Sequence, residues 1–239
     1  MDAILDFGEK GFPGILVETI AIFINNLAAP ANTKVFSLTH RLHLTQPQAY
    51  IFDPELPYWI IYRNQLFDSV CRKLDFDVFE VFRDRQLTNK LLSSSGELRV
   101  LKSRNLSDDG KEILDIPGYD SYISYAAAKP LSVFQYLDAP NVYLTPNMTY
   151  KPRMMKKPPH CVVNGSLAIL IPKGGIVLTE KQLAYFSSEE YRAFYQIARN
   201  FQTRSLNVDA CSVFFYGLLR DEAKPAPEKF DTSVQLSFL

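Results

Sequence analysis

The 239 residues carry 26 basic and 26 acidic side chains and are 47% hydrophobic, which suits a folded chain with a sizeable core and excludes a disordered one. With zero net charge, a polyanion can be bound only where basic residues segregate locally. Three cysteines are too few and too scattered for a disulfide framework, no apolar run approaches the ~20 residues of a membrane span, and the first ten residues, with two Asp and one Glu, are unlike a signal peptide; a cytoplasmic protein of one large or two small domains is the simplest reading.

Along the chain, GILVETIAIFIN (14–25) is nearly all apolar or β-branched and reads as a strand buried on both faces. A small-residue junction follows, and KVFSL (34–38) begins another strand. Residues 59–74 place apolar side chains at 60, 61, 66, 70 and 74, which is helical spacing. DVFEVF (77–82) alternates like a strand, 84–92 reads as a short polar helix, and ELRVLK (97–102) as a strand. SDDGKE (107–112) is a turn around Asp-Gly. The Pro-punctuated run 140–159 reads as strand, loop and edge strand. SLAILIPK (166–173) reads as a core strand ending in a Gly174-Gly175 turn. Residues 179–199 read as two helices, the second capped by Ser187 or Ser188. SVFFYGLL (212–219) closes the folded part. The expected fold class is mixed α/β.

The common catalytic motifs are missing: no Walker loop, dinucleotide fingerprint, nucleophile elbow or Cys-x-x-Cys pair occurs. His40 and His43 sit three apart on a segment read as strand, where their side chains point to opposite faces, so a zinc pair is not expected. Asp84 between Arg83 and Arg85 lacks the second acid and the lysine that a nuclease site needs.

The informative signal is charge placement. Between Asp138 and Glu180 there is no acidic residue, while Lys151, Arg153, Lys156 and Lys157 fall within seven positions beside Tyr150, Met154 and Met155. A second group is Arg83, Arg85, Lys90, Arg99, Lys102 and Arg104. A third is Arg199 and Arg204, among Gln202, Thr203, Ser205 and Asn207. Basic side chains hold phosphates, whereas Arg, Asn, Gln, Ser and Thr read base edges, so the mixture favours nucleic acid over an ordinary solvated surface.

FPGILVETIAIFINN (12–26) resembles a strand late in the catalytic domain of gamma-class N6-adenine DNA methyltransferases. PYWIIYRNQLFDSV (57–70), VFRDRQLTNKLL (81–92), LRVLKSRNLSDDG (98–110), NVYLTPNMTYKPRM (141–154) and NFQTRSLNVDACSVFFYGLL (200–219) are similar to the target-recognition region beyond it in type II restriction–modification enzymes. The resemblance covers roughly residues 7–220. It implies a C-terminal piece with three parts: 1–33, a remnant of the methyltransferase sheet; 34–222, a target-recognition domain; and 223–239, a mobile tail. The family's Asn/Asp/Ser-Pro-Pro-aromatic loop, which holds a flipped adenine, has no counterpart, because the lone Pro-Pro, Pro158-Pro159, stands between Lys157 and His160. The glycine loop for S-adenosylmethionine is missing too.

The resemblance therefore implies sequence-specific recognition of double-stranded DNA, with no cofactor bound and no methylation by this chain alone. S-adenosylmethionine and the catalytic site would belong to a separate methyltransferase domain or subunit, and a restriction endonuclease is a further expected partner. A nuclease activity of its own, or a scaffold holding the system's parts together, are the alternatives. Ile15, Leu16, Ile20, Ile22 and Ile24 are expected to pack against the rest of the chain or another molecule. For DNA, one face is expected to gather Arg83, Arg85, Gln86, Lys102, Ser103, Arg104, Asn105, Asn147, Tyr150, Lys151, Arg153, Lys156, Lys157, Arg204 and Asn207 around a groove ~20 Å across. Within it, Lys102, Lys151, Lys156 and Lys157 are the phosphate contacts, and Arg104, Arg204, Asn105 and Asn207 the base readers.

Overall fold

The computed structural model describes residues 1–15, 17–27, 30–202 and 207–220, so Leu16, Arg204 and the tail 223–239 lie outside the described residues. Among the described residues helix accounts for 24% and strand for 26%, distributed over several small sheets, which makes the fold mixed α/β. No helix among the described residues is long and apolar enough to cross a membrane.

The N-terminal sheet consists of β1 (Ala3–Gly8), β2 (Thr19–Phe23), β3 (Asn32–Ser37) and β4 (Leu42–Pro47), in the order β2-β1-β3-β4. β1 runs parallel to β3 and antiparallel to β2. Burial alternates along β1 and β3, so Ile4, Asp6, Thr33, Val35 and Ser37 face inward, as the two-residue period of a strand requires. The inward Asp6 carboxylate accepts hydrogen bonds from the Tyr62 hydroxyl, the Ser37 hydroxyl (3.3 Å) and the Gly8 amide (2.8 Å). Burial and this carboxylate push the Tyr62 phenol well above its ordinary range.

Two expectations are corrected here. The run 14–25 is not a doubly buried strand. Only Thr19–Phe23 is strand, and β2 is an edge with Ile20, Ile22 and Phe23 exposed. An apolar sequence reports what a segment prefers to touch, not whether a neighbour covers it. The boundary after residue 33 falls inside β3, which pairs with β1 on one side and β4 on the other. The four strands β1 to β4 thus form one sheet.

The short helix α1 (Gln48–Ile51) leads to α2 (Gln65–Lys73). The latter starts later than the spacing from 59 predicts, because the Asn64 side chain accepts from the Phe67 amide and caps it there. Residues 60–62, buried ahead of the cap, pack instead as irregular chain. β5 (Leu74–Asp75) and β6 (Phe79–Phe82) follow. The predicted helix at 84–92 is mostly loop, with one 3-10 turn at Asn89–Leu91. The Asp84 carboxylate captures the amides of Gln86 (3.4 Å) and Leu87 (2.8 Å), a local alternative to helical bonding.

Next come β7 (Leu98–Leu101), β8 (Ser121–Ile123), α3 (Tyr125–Ala128), β9 (Tyr143–Pro146), β10 (Met155–Lys156), β11 (Cys161–Val163) and β12 (Leu167–Pro172). The helices α4 (Glu180–Tyr185) and α5 (Glu189–Ala198) and the strand β13 (Leu218–Leu219) close the fold. Thr179 caps α4 and Ser188 caps α5. Two sheets dominate this part, β10-β9-β12-β6 and β11-β7-β8.

β9 and β12 are buried on both faces. Tyr143, Ala168 and Leu170 join the aromatic core of α2 and α5, where Phe67 stacks on Phe194. Leu144, Leu167 and Ile169 face a second, aliphatic core containing Val100, Ile123 and Val162. Truncating Leu170 to Ala should therefore cost about 2–5 kcal/mol, whereas Ile22→Ala, at an exposed edge, should cost less than about 1 kcal/mol. Urea unfolding followed by the fluorescence of Trp59 distinguishes the two.

Candidate nucleic-acid interface

The carboxyl ends of β6, β7, β9 and β11 meet the amino end of β12 at one rim. Strand register dictates this: Phe82 pairs with Ile169, Pro146 with Leu167 and Leu101 with Val163. The loops leaving these strand ends contain most of the basic and amide residues singled out from the sequence.

The turn Asn164-Gly165-Ser166 joins the loops to one another. Asn164 donates its amide to the Leu101 carbonyl (3.1 Å), and the Ser166 hydroxyl accepts from the Ser103 amide (2.9 Å). Asn147 donates its amide to the Ser166 carbonyl (3.0 Å) and its side-chain amide to the Gly165 carbonyl (3.0 Å). That side chain also donates to the Asn207 side-chain oxygen and accepts from the Val208 amide (2.9 Å). Gly165 lies so close to the 84–86 loop that an added Cβ would stand 2.7 Å from the Asp84 carbonyl oxygen. Segments around residues 84, 103, 147 and 207, remote in sequence, are thereby brought to one place.

Within this frame several predicted DNA contacts prove to be structural. Asn105 is fully buried; its side chain donates to the Leu114 carbonyl (3.0 Å) and to Asp120 (2.7 Å) and accepts from the Lys102 amide. It has no face left for a base. Asn147 is likewise turned inward. Arg153 is buried and donates to the carbonyls of Lys151, Ser103 and Leu106. Desolvation lowers its pKa, and the nearby Asp108 carboxylate and Tyr216 offset this only in part. Lys102 bonds to the Tyr119 carbonyl and the Ser121 hydroxyl, and burial lowers its pKa too.

Lys156 and Lys157 point away from the rim, because β10 runs back antiparallel to β9. Lys156 is exposed and lines a pocket of about 610 Å³ with Asp109, Lys111, Glu180 and Lys181. Lys157 is buried, with its ammonium on the carbonyls of Leu137 (2.7 Å) and Pro158 (3.0 Å), and burial brings its pKa down to about 8. The reason is common to these cations. The carbonyls at strand ends satisfy an ammonium or guanidinium internally, and residue type alone does not reveal that.

The residues left outward at the rim are Arg85, Gln86, Arg104, Tyr150, Lys151 and Asn207, with Arg83 and Ser103 half-buried. Gln86 accepts from the Ser132 amide. Lys151 pairs with Asp108, both largely exposed. The Arg104 guanidinium stands 4.6 Å from the centre of the Tyr119 ring, and the Lys102 ammonium 3.9 Å from it. Sequence reasoning missed Tyr119, Asp108, Met148 and the central turn. Only the turn carried a signal, the Asn-Gly dipeptide at 164–165.

Elsewhere, the N-terminal sheet forms an apolar pocket of about 580 Å³ lined by Ala3, Leu5, Phe23, Phe36, Leu38 and His43, among others. His43 stacks on Phe36 at 4.4 Å, and His40 packs beside Tyr62 and Phe201. Among the described residues no group of three or more His, Cys, Asp or Glu is placed to hold a metal ion. No protein-family model matches the chain, and no curated protein matches it significantly.

The buried polar frame yields two expectations. Gly165→Ala should destabilise the fold by roughly 1–3 kcal/mol, as the Asp84 backbone must shift. For Lys157, the folded protein releases its proton near pH 8, whereas an unfolded lysine holds it to about 10.4. Between those values the unfolded state binds more protons, so this group adds stability as pH rises. The stability difference between the wild type and Lys157→Met should therefore move in favour of the wild type from about pH 8 to about pH 10, measured by urea titration at each pH.

Proposed function

We propose that this chain recognises DNA sequence for an adenine-specific methyltransferase of a type II restriction–modification system. The carrying observation is the rim itself. Four segments remote in sequence present Arg85, Gln86, Arg104, Lys151 and Asn207 outward around one turn. Two guanidinium forks and two amides can pair with base edges, and a flexible ammonium suits phosphate. The Tyr119 ring beneath Arg104 favours a pre-organised guanidinium. The choice of restriction–modification system rests on the sequence resemblance. In this reading S-adenosylmethionine and the catalytic loop belong to a methyltransferase domain or subunit, and a restriction endonuclease shares the target.

A protein-scaffolding role is the second reading, and the exposed apolar side chains of β2 favour it.

Fluorescence anisotropy with duplex DNA at several salt concentrations separates the two. Recognition of DNA requires affinity to fall steeply and linearly with the logarithm of salt. Lys151→Ala should weaken binding to every sequence and lower the salt slope by about one. Arg104→Ala should cost roughly 1–3 kcal/mol on a site chosen by selection from randomised duplexes, and little elsewhere. Salt-independent binding, or an unchanged site preference in Arg104→Ala, defeats the proposal.

A further inference from the structure

The loop that follows β9 has rigid ends and an apolar tip. At one end Asn147 is locked by its bonds to Gly165, Ser166, Asn207 and Val208. At the other, Pro152 and Arg153 are buried, and the Arg153 guanidinium fastens the loop to the carbonyls of Ser103 and Leu106. Between them the Thr149 hydroxyl accepts from the Lys151 amide (2.9 Å) and donates to the Lys151 carbonyl (3.1 Å), closing a tight turn. Met148 and Tyr150 project from this turn, each 52% exposed. Large apolar side chains on a well-fastened loop are hydrated at a cost that burial against a ligand would remove.

The surroundings specify that ligand. Lys151 is the next residue, and its ion pair with Asp108 is exposed on both sides, so a phosphate can take the place of the carboxylate with little loss. Arg153 ties the loop to the segment bearing the outward Arg104. A ring and a thioether beside cations match a base step and its flanking phosphates.

We infer that Met148 and Tyr150 form a wedge that enters the base stack of duplex DNA and unwinds it locally. This rests on the DNA-recognition reading above and adds the mode of contact. The ring stacks on an unstacked base, Met148 fills the opened step, and Lys151 holds the adjoining phosphate.

Insertion between base pairs changes the linking number of a closed circle, and this can be read without knowing the recognised sequence. Plasmid DNA is relaxed with topoisomerase I in the presence of the full chain at low salt. Filter binding of the same plasmid gives the amount of protein bound. The wild type and Tyr150→Phe should shift the linking number per bound molecule. Tyr150→Ala should bind roughly tenfold more weakly, and the double variant Met148→Ala/Tyr150→Ala should lose the shift altogether even when saturated. Both positions are half exposed, so thermal melting should match the wild type. Plasmid binding without a linking-number change in the wild type overturns the wedge alone, as does an undiminished shift in the double variant. A wild-type chain that does not bind the plasmid overturns the DNA reading and the wedge with it.

Discussion

The body of the molecule depends on the pairing of β9 with β12, two strands with no solvent face. Successive side chains along them enter different cores, so one strand registers an aromatic cluster on α2 and α5 against an aliphatic cluster on the β7 sheet. A slip of one residue would exchange Tyr143, Ala168 and Leu170 with Leu144, Leu167 and Ile169, offering an alanine-containing set where each core requires its own shapes. The rim exists because this pairing fixes where four strands end.

Placing loops at strand ends creates many carbonyls that need donors away from water. The chain meets that need with amides and cations. Asn105 and Asn147 bridge backbone groups, and Arg153 and Lys157 act as multi-pronged donors whose charge is tolerated at the expense of a lowered proton affinity. A stretch without acids, which looks like a polyanion-binding signature, is thus partly a device for ending strands. What remains outward is a smaller set, and it is more evenly split between basic and amide side chains.

The sequence made some of this legible and concealed the rest for physical reasons. SLAILIPK and GILVETIAIFIN look alike as apolar runs, yet the first is the doubly buried centre and the second contains an edge strand; only the pairing partners distinguish them. The cap of α5 was legible as Ser187 or Ser188 and is Ser188, because a hydroxyl three residues before an orphan amide is a local interaction. Residues 84–92 read poorly, because the carboxylate of Asp84 chose a turn over a helix at the same local range. For the site, the segments were visible and their convergence was not. It required Gly165 and Ser166, which carry no charge and attract no notice in a list of binding residues.

The division between frame and tip has an evolutionary corollary. Drift at Asn105, Asn147, Arg153 or Gly165 disturbs several loops together, whereas Arg85, Arg104, Met148 and Tyr150 emerge into solvent. Surface chemistry at the rim can therefore diversify residue by residue while the scaffold stays constant. Grafting new tips between the retained anchors is the natural route to altering the chemistry that the rim presents.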